Sequence, residues 1–160
     1  MVQVQEGRWT HEHDGELVVF LIGMRVNAPW RVDRWLPVLL AMPRMIAELS
    51  RDPSRGFLGA RTLLGASGPT VVQYWRSTDD LYAYAADPGA AHRPAWTAFN
   101  RRARGARGAV GIWHETYAVP AGGHETIYAD LPPTGLAAAT RPVPVTRRGE
   151  GARQRLAGQR

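Results

Sequence analysis

Hydrophobic residues change their spacing repeatedly along this chain, and each change marks a boundary between elements. Residues 16–27 form an apolar, β-branched run that stops at Asn27-Ala28-Pro29, the pattern of a strand closed by a turn. Trp35, Leu39, Met42, Ile46 and Leu49 then recur at helical spacing, with Arg34, Arg44, Glu48 and Arg51 between them. That spacing predicts an amphipathic helix over residues 31–51. Pro37 fits its first turn, whereas Pro43 deletes an interior hydrogen bond and predicts a kink or a division. Two further strands, 57–66 and 70–76, flank Ser67-Gly68-Pro69 and read as an antiparallel hairpin. Ser77-Thr78-Asp79-Asp80 carries the capping-box pattern and opens a helix to about Ala86. After the interruption at Asp87-Pro88-Gly89, a second helical stretch spans 90–104 and a fourth strand spans 109–119.

The order is β-α-β-β-α-β, the ferredoxin-like α+β arrangement, with helices on one face of an antiparallel sheet. In the fourth strand Trp113 and Tyr117 alternate with Ile112, so both faces carry large side chains and both need cover. A second copy of the chain on the helix-free face would supply it.

A length of 160 residues suits one domain with its own core. The absence of cysteine excludes disulfides, thiolate nucleophiles, Cys-type zinc sites and Cys-ligated haem. The longest apolar runs, such as 17–23, fall short of the roughly 20 residues of a membrane span, and no signal pattern opens the chain, so a cytoplasmic protein without a membrane partner is expected. The formal charge of +6 is concentrated in residues 140–160, where Arg141, Arg147, Arg148, Arg153, Arg155 and Arg160 stand against Glu150. This segment is rich in Pro, Gly and Ala, which predicts a folded domain over 1–139 and a solvated, disordered basic tail over 140–160. No aromatics interleave its arginines, so nucleic acid is not an expected partner.

Candidate chemistry sits in two places. His92, Trp96 and Phe99 share one apolar helix face at i, i+4 and i+7. An imidazole there can act as an iron ligand or a base, or can sit at the core edge bonded to a carbonyl. His114 and Glu115 point to opposite faces of the fourth strand, and the pattern leaves open which face looks toward the helices. Either could serve a pocket as base or orienting group, or simply be paired at an interface. Asn27 shares a face with Arg25 and also suits the start of a turn before Ala28-Pro29. His11-Glu12-His13 lacks the further ligands of a metal site. No phosphate-cradling glycine loop or nucleophile elbow is visible.

Several motifs in order carry a resemblance. Met24-Arg25-Val26-Asn27, Gln73-Tyr74-Trp75-Arg76-Ser77, Ala91-His92-Arg93-Pro94-Ala95-Trp96 and Gly111-Ile112-Trp113-His114-Glu115-Thr116-Tyr117 are followed by Gly122-Gly123-His124-Glu125-Thr126-Ile127-Tyr128 and Leu131-Pro132-Pro133-Thr134-Gly135-Leu136. From about Val18 to Leu136 the chain resembles the DUF4188 (monooxygenase-like) family of the dimeric α+β barrel superfamily. The resemblance implies a homodimer closed through the two sheets and a ligand pocket between sheet and helices. It also implies candidate catalytic roles for His92, His114, Asn27 and Glu115. A haem, if used, would have His92 on the iron and Trp96, Phe99 and Arg25 around it. The implied activity is that of a small oxidative enzyme of secondary metabolism, acting on a small apolar or aromatic ligand with haem or with no cofactor. Alternatives are a haem dehydratase-like enzyme, similar to the aldoxime dehydratases, and a non-catalytic dimeric accessory protein that binds a small ligand.

Overall fold

The computed structural model of the chain describes residues 3–66, 68–89, 97 and 108–157. In chain order its elements are β1 (Gln5–Glu12), β2 (Leu17–Val26), α1 (Val32–Arg51), β3 (Phe57–Gly65), β4 (Gly68–Trp75), α2 (Thr78–Ala86), β5 (Val110–Val119), β6 (Tyr128–Leu131), α3 (Gly135–Ala139), β7 (Arg141–Pro144) and α4 (Ala152–Ala157). Strands β3-β4-β2-β5 make one antiparallel sheet, the ferredoxin-like order expected from the sequence. The stretch 90–104, expected to be helical, lies outside the described residues apart from Thr97, which is helical.

The local signals act where the pattern places them. Ser77 caps α2 by accepting a hydrogen bond from the Asp80 amide at 3.1 Å, and Arg76 pairs with the same aspartate at 2.9 Å. The β3-β4 hairpin closes where Gly65 pairs with Gly68. Gly68 has φ +123°, and a Cβ there would stand 2.2 Å from the Met24 carbonyl oxygen, so only glycine fits. Of the kink or division expected at Pro43, division does not occur: α1 is one helix of 20 residues that includes both Pro37 and Pro43. Each proline removes a single bond at a local cost, while Leu49, buried in the core, and the adjacent Ile46 anchor the last turns.

On the helix side of the sheet, Val18, Leu49, Phe57, Trp75, Leu81 and Tyr84 form the core, with Trp75 fully buried. The Trp75 indole N–H donates to Gln73 Oε1 at 3.0 Å, which satisfies a polar group that burial would otherwise penalise. The other face is covered in part by the chain itself, a correction to the expectation that a second subunit must supply the whole cover. Leu136 of α3 packs with Leu17, Val72 and Tyr74 there, and Ala139 lies against Gly59. Farther along that face Trp113 lies over Gly23, where a Cβ would come within 2.5 Å of the indole.

Gln5–Glu12, in a polar segment with no expected element, forms β1, the centre of a second sheet ordered β6-β1-β7. Residues 141–157 fold against this sheet, which corrects the reading of that stretch as part of a disordered tail; residues 158–160 lie outside the described residues. Val143 and Val145 are each 4% exposed, and Arg155 is equally buried. Composition misleads here because the partners of the charges lie far away in sequence. Glu12 of β1 pairs with Arg141 and Arg147, and Glu125 pairs with Arg155, whose guanidinium also donates to the carbonyls of Gly149 and Glu150 at 3.0 and 2.8 Å. A buried guanidinium satisfied on several sides is an ordering element rather than a solvated charge.

A buried chain of hydrogen bonds ties β1 to residues 124–126. The His124 Nε2–H donates to the Gly15 carbonyl at 3.3 Å, so in the neutral ring Nδ1 accepts from His11 Nε2–H at 2.6 Å. His11 Nδ1 in turn accepts from the Thr126 hydroxyl at 2.9 Å, and the Thr10 hydroxyl donates to the Thr126 carbonyl at 2.7 Å. Burial first, then the neighbouring His124 and Arg148, hold the His11 imidazole neutral and push its pKa down to about 4. Burial also lowers that of His124.

Two predictions follow from the second sheet. Deleting residues 140–160 removes β7 and exposes the faces that bury Val143 and Val145. Urea denaturation should show a loss of about 3 kcal/mol or more; an unchanged midpoint would mean that the segment does not pack. The second concerns pH. The unfolded chain takes up a proton on His11 near pH 6.5 and the folded one only near pH 4. Its contribution is therefore fully present above about pH 6.5 and is lost as pH falls toward 4, a decline of about 3 kcal/mol. Urea midpoints of wild type should fall across that window, and His11→Gln should flatten much of the slope.

Candidate active site

Between the middle of α1 and the sheet lies a cavity of about 460 Å³. Its floor follows from strand register. Thr62 on β3 pairs with Val71 on β4, Val71 with Ile22 on β2, and Ile22 with His114 on β5. One row of side chains on the helix side therefore runs Thr62, Val71, Ile22, His114. Met24 and Ile112 extend the floor by a second row. The roof is the α1 face bearing Leu39, Met42, Pro43 and Ile46. Thr62 carries the single polar side chain among the described lining residues, so the cavity suits an uncharged apolar molecule.

Strand geometry settles which side of β5 looks toward α1. Ile112 lines the cavity, and two residues on the His114 ring lies 5.6 Å from the Phe20 ring on that same side. His114 is exposed and is the cross-strand neighbour of Ile22, a residue of the floor. Trp113, Glu115 and Tyr117 occupy the opposite face, where Glu115 accepts a hydrogen bond from the Tyr117 hydroxyl at 2.7 Å. Arg25 and Asn27 also lie on that opposite face, and the Arg25 Nε donates to Asn27 Oδ1 at 3.1 Å. The amides of Asn27 and Ala28 both donate to the Ala109 carbonyl, which fixes the turn after β2. The structure thus sets His114 on the cavity side of the sheet, next to Ile22 but not itself in the lining, and places Glu115, Arg25 and Asn27 behind the sheet. His92, Trp96 and Phe99 lie outside the described residues.

The cavity floor and roof were not singled out in the sequence, although one signal for them was present. Ile22 and Met24 share the period-two face of β2, and Leu39, Met42 and Ile46 share the apolar stripe of α1. Apolar positions of that kind look like ordinary core until the packing shows that they fail to meet.

Haem asks for an axial ligand and for cations near its propionates. The described lining offers neither an imidazole nor a cation, and His92 lies outside the described residues, so no step is derived through the group. Among the described residues no cluster of three or more His, Cys, Asp or Glu side chains could hold a metal ion, and no helix is long and apolar enough to cross a membrane.

Comparison with known proteins places this geometry in context. The chain is 26% identical over 129 residues to Monooxygenase af470 of Aspergillus fumigatus, an alignment that covers 74% of this chain and 44% of that protein. The chain thus spans less than half the length of that relative. An aldoxime dehydratase solved with butyraldoxime has a similar fold, with a TM-score of 0.64 at 17% identity, over 82% of this chain and 43% of the other. SnoaB, a cofactor-independent oxygenase from Streptomyces nogalater, matches with a TM-score of 0.41 at 18% identity, over 64% of this chain and 91% of that one. The monooxygenase-like resemblance read from the motifs is upheld by a match of residues 17–136 to a model described as Monooxygenase af470-like, and the chain belongs to that family.

Proposed function

We propose that this protein is a small oxidative enzyme that takes an electron-rich apolar molecule into the cavity between α1 and the sheet, with His114 as the general base. The observation that carries this reading is the apolar cavity of about 460 Å³ whose floor residue Ile22 has His114 as its neighbour on β5, on the same face of the sheet. Apolar walls exclude water from a reactive carbanion and favour an uncharged substrate. In the cofactor-free form of the reaction, His114 removes a proton from an activated methylene of the substrate. The carbanion passes electrons to dioxygen, a C–O bond forms, and loss of water leaves a carbonyl. One oxygen atom enters the product and the other leaves as water, so the substrate itself supplies the electrons.

The second reading, a haem-dependent enzyme with His92 on the iron, is supported by the fold likeness to an aldoxime dehydratase. Hemin titration of the full chain separates the two: a Soret shift lost in His92→Phe favours haem, and no spectral change favours the cofactor-free form.

The assembly proposed is a homodimer through the sheet face away from α1. Trp113 is 39% exposed and Tyr117 51% exposed on that face, beside the area that α3 covers. Exposed aromatics on a pleated face favour self-association. Light scattering should report a dimer for wild type and a monomer for Trp113→Asp; a folded wild-type monomer would exclude this arrangement.

For the activity itself, the neutral fluorophore 1-aminoanthracene should bind wild type and lose binding in Val71→Phe, which fills the floor. Oxygen uptake with activated-methylene aromatics, measured on an oxygen electrode, should fall by roughly 10²–10⁴-fold in His114→Gln. Equal rates in wild type and His114→Gln would remove His114 from the role of base.

A further inference from the structure

We infer that Pro43 turns the main-chain carbonyl of Leu39 into a hydrogen-bond acceptor on the cavity wall, so that the site selects ligands carrying a hydroxyl or N–H donor. The inference rests on the cavity being the ligand site, and it adds a feature of the ligand that the apolar lining alone does not specify.

In an α-helix the carbonyl of residue 39 accepts from the amide of residue 43. Proline has no amide hydrogen, so this bond cannot form, and the ring presses on that same carbonyl and tilts it off the axis. Leu39 and Pro43 are one turn apart on the same side of α1, and both line the cavity. On this inference the carbonyl deprived of its usual donor, between two cavity residues and pushed off the axis by the proline ring, is offered to the cavity. Its surroundings sharpen the effect: the neighbouring wall is Met42, Ile46, Ile22 and Val71, and the one polar side chain of the described lining is Thr62 across the floor. A polar acceptor set among apolar side chains gains from a donor that a ligand brings. A ligand hydroxyl presented to the roof satisfies it, whereas an ether or hydrocarbon of the same shape leaves it without a donor.

The helix contains its own control. Pro37 removes the corresponding bond to the Asp33 carbonyl, yet neither Pro37 nor Asp33 lines the cavity. Any general effect of a proline on α1 is shared by both positions, while an effect on ligand choice belongs to Pro43 alone.

The test is calorimetric titration of the full chain with 2-naphthol, which can donate a hydrogen bond, and with 2-methoxynaphthalene, which cannot. Wild type should prefer 2-naphthol by roughly fivefold or more, the scale of one net hydrogen bond. In Pro43→Ala the amide at position 43 returns and takes the Leu39 carbonyl back into the helix. The preference should then fall to about one, in a protein whose helix is, if anything, more stable. Pro37→Ala should keep the wild-type preference. The inference is overturned if Pro43→Ala retains the preference, if both probes weaken equally so that their ratio is unchanged, or if Pro37→Ala lowers the ratio as much as Pro43→Ala does. Failure of both probes to bind wild type would instead overturn the cavity as the ligand site.

Discussion

The register of β2 is the constraint on which the rest depends. This strand pairs over its whole length, Leu17 to Val26, with β5, and with β4 on its other side. Side chains in a strand alternate between faces, so a slip of one residue would exchange the two faces throughout. In the observed register Val18 and Phe20 join the core under α1, and Ile22 and Met24 become the cavity floor. Leu17, Val19 and Leu21 meet α3 and its neighbours on the other side. The same register sets His114 beside Ile22, and Trp113 over a glycine that has room for it.

The core and the cavity are continuous parts of one layer. Toward the C-terminal end of α1, Leu49 and Ile46 reach Trp75, Phe57 and Tyr84 and the layer is filled. Toward the middle of the helix, smaller and more flexible side chains such as Ala41 and Met42 face the same sheet and leave space. An apolar space of this kind holds no water well, because water there would lack hydrogen-bond partners, and so it is suited to an apolar guest. Leu39 and Pro43 belong to this unfilled half, and His114 adjoins it through Ile22.

The second sheet has a different physical basis. Its strands are short, and β6 and β7 have four residues each, so pairing alone would hold them weakly. Buried polar interactions add to it: the His11, His124 and Thr126 chain on one side, and Arg155 enclosed by Glu125 and two carbonyls on the other. Networks of this kind are favourable only when each member is satisfied, and for the His11 chain that requires residues separated by more than a hundred positions in the sequence.

That separation accounts for what the sequence determined by itself and what it did not. Local signals sufficed for β2, α1, the β3-β4 hairpin, the Ser77 cap and β5, because period, turn chemistry and capping are properties of neighbouring residues. Their order was enough for the ferredoxin-like sheet, and the motifs for the monooxygenase-like family. The second sheet was illegible: Gln5–Glu12 is polar in composition and becomes a central strand only through partners near residues 130 and 142, and the arginines of 141–155 look solvated until Glu12 and Glu125 stand beside them. The site was half legible. Alternation showed that His114 and Glu115 face opposite ways, but only the packing of α1 against Ile22, Met24 and Ile112 decided that the histidine side is the cavity side. Which apolar residues fill a core and which enclose a space depends on the distance between a helix and a sheet, and that distance is a property of the folded chain alone.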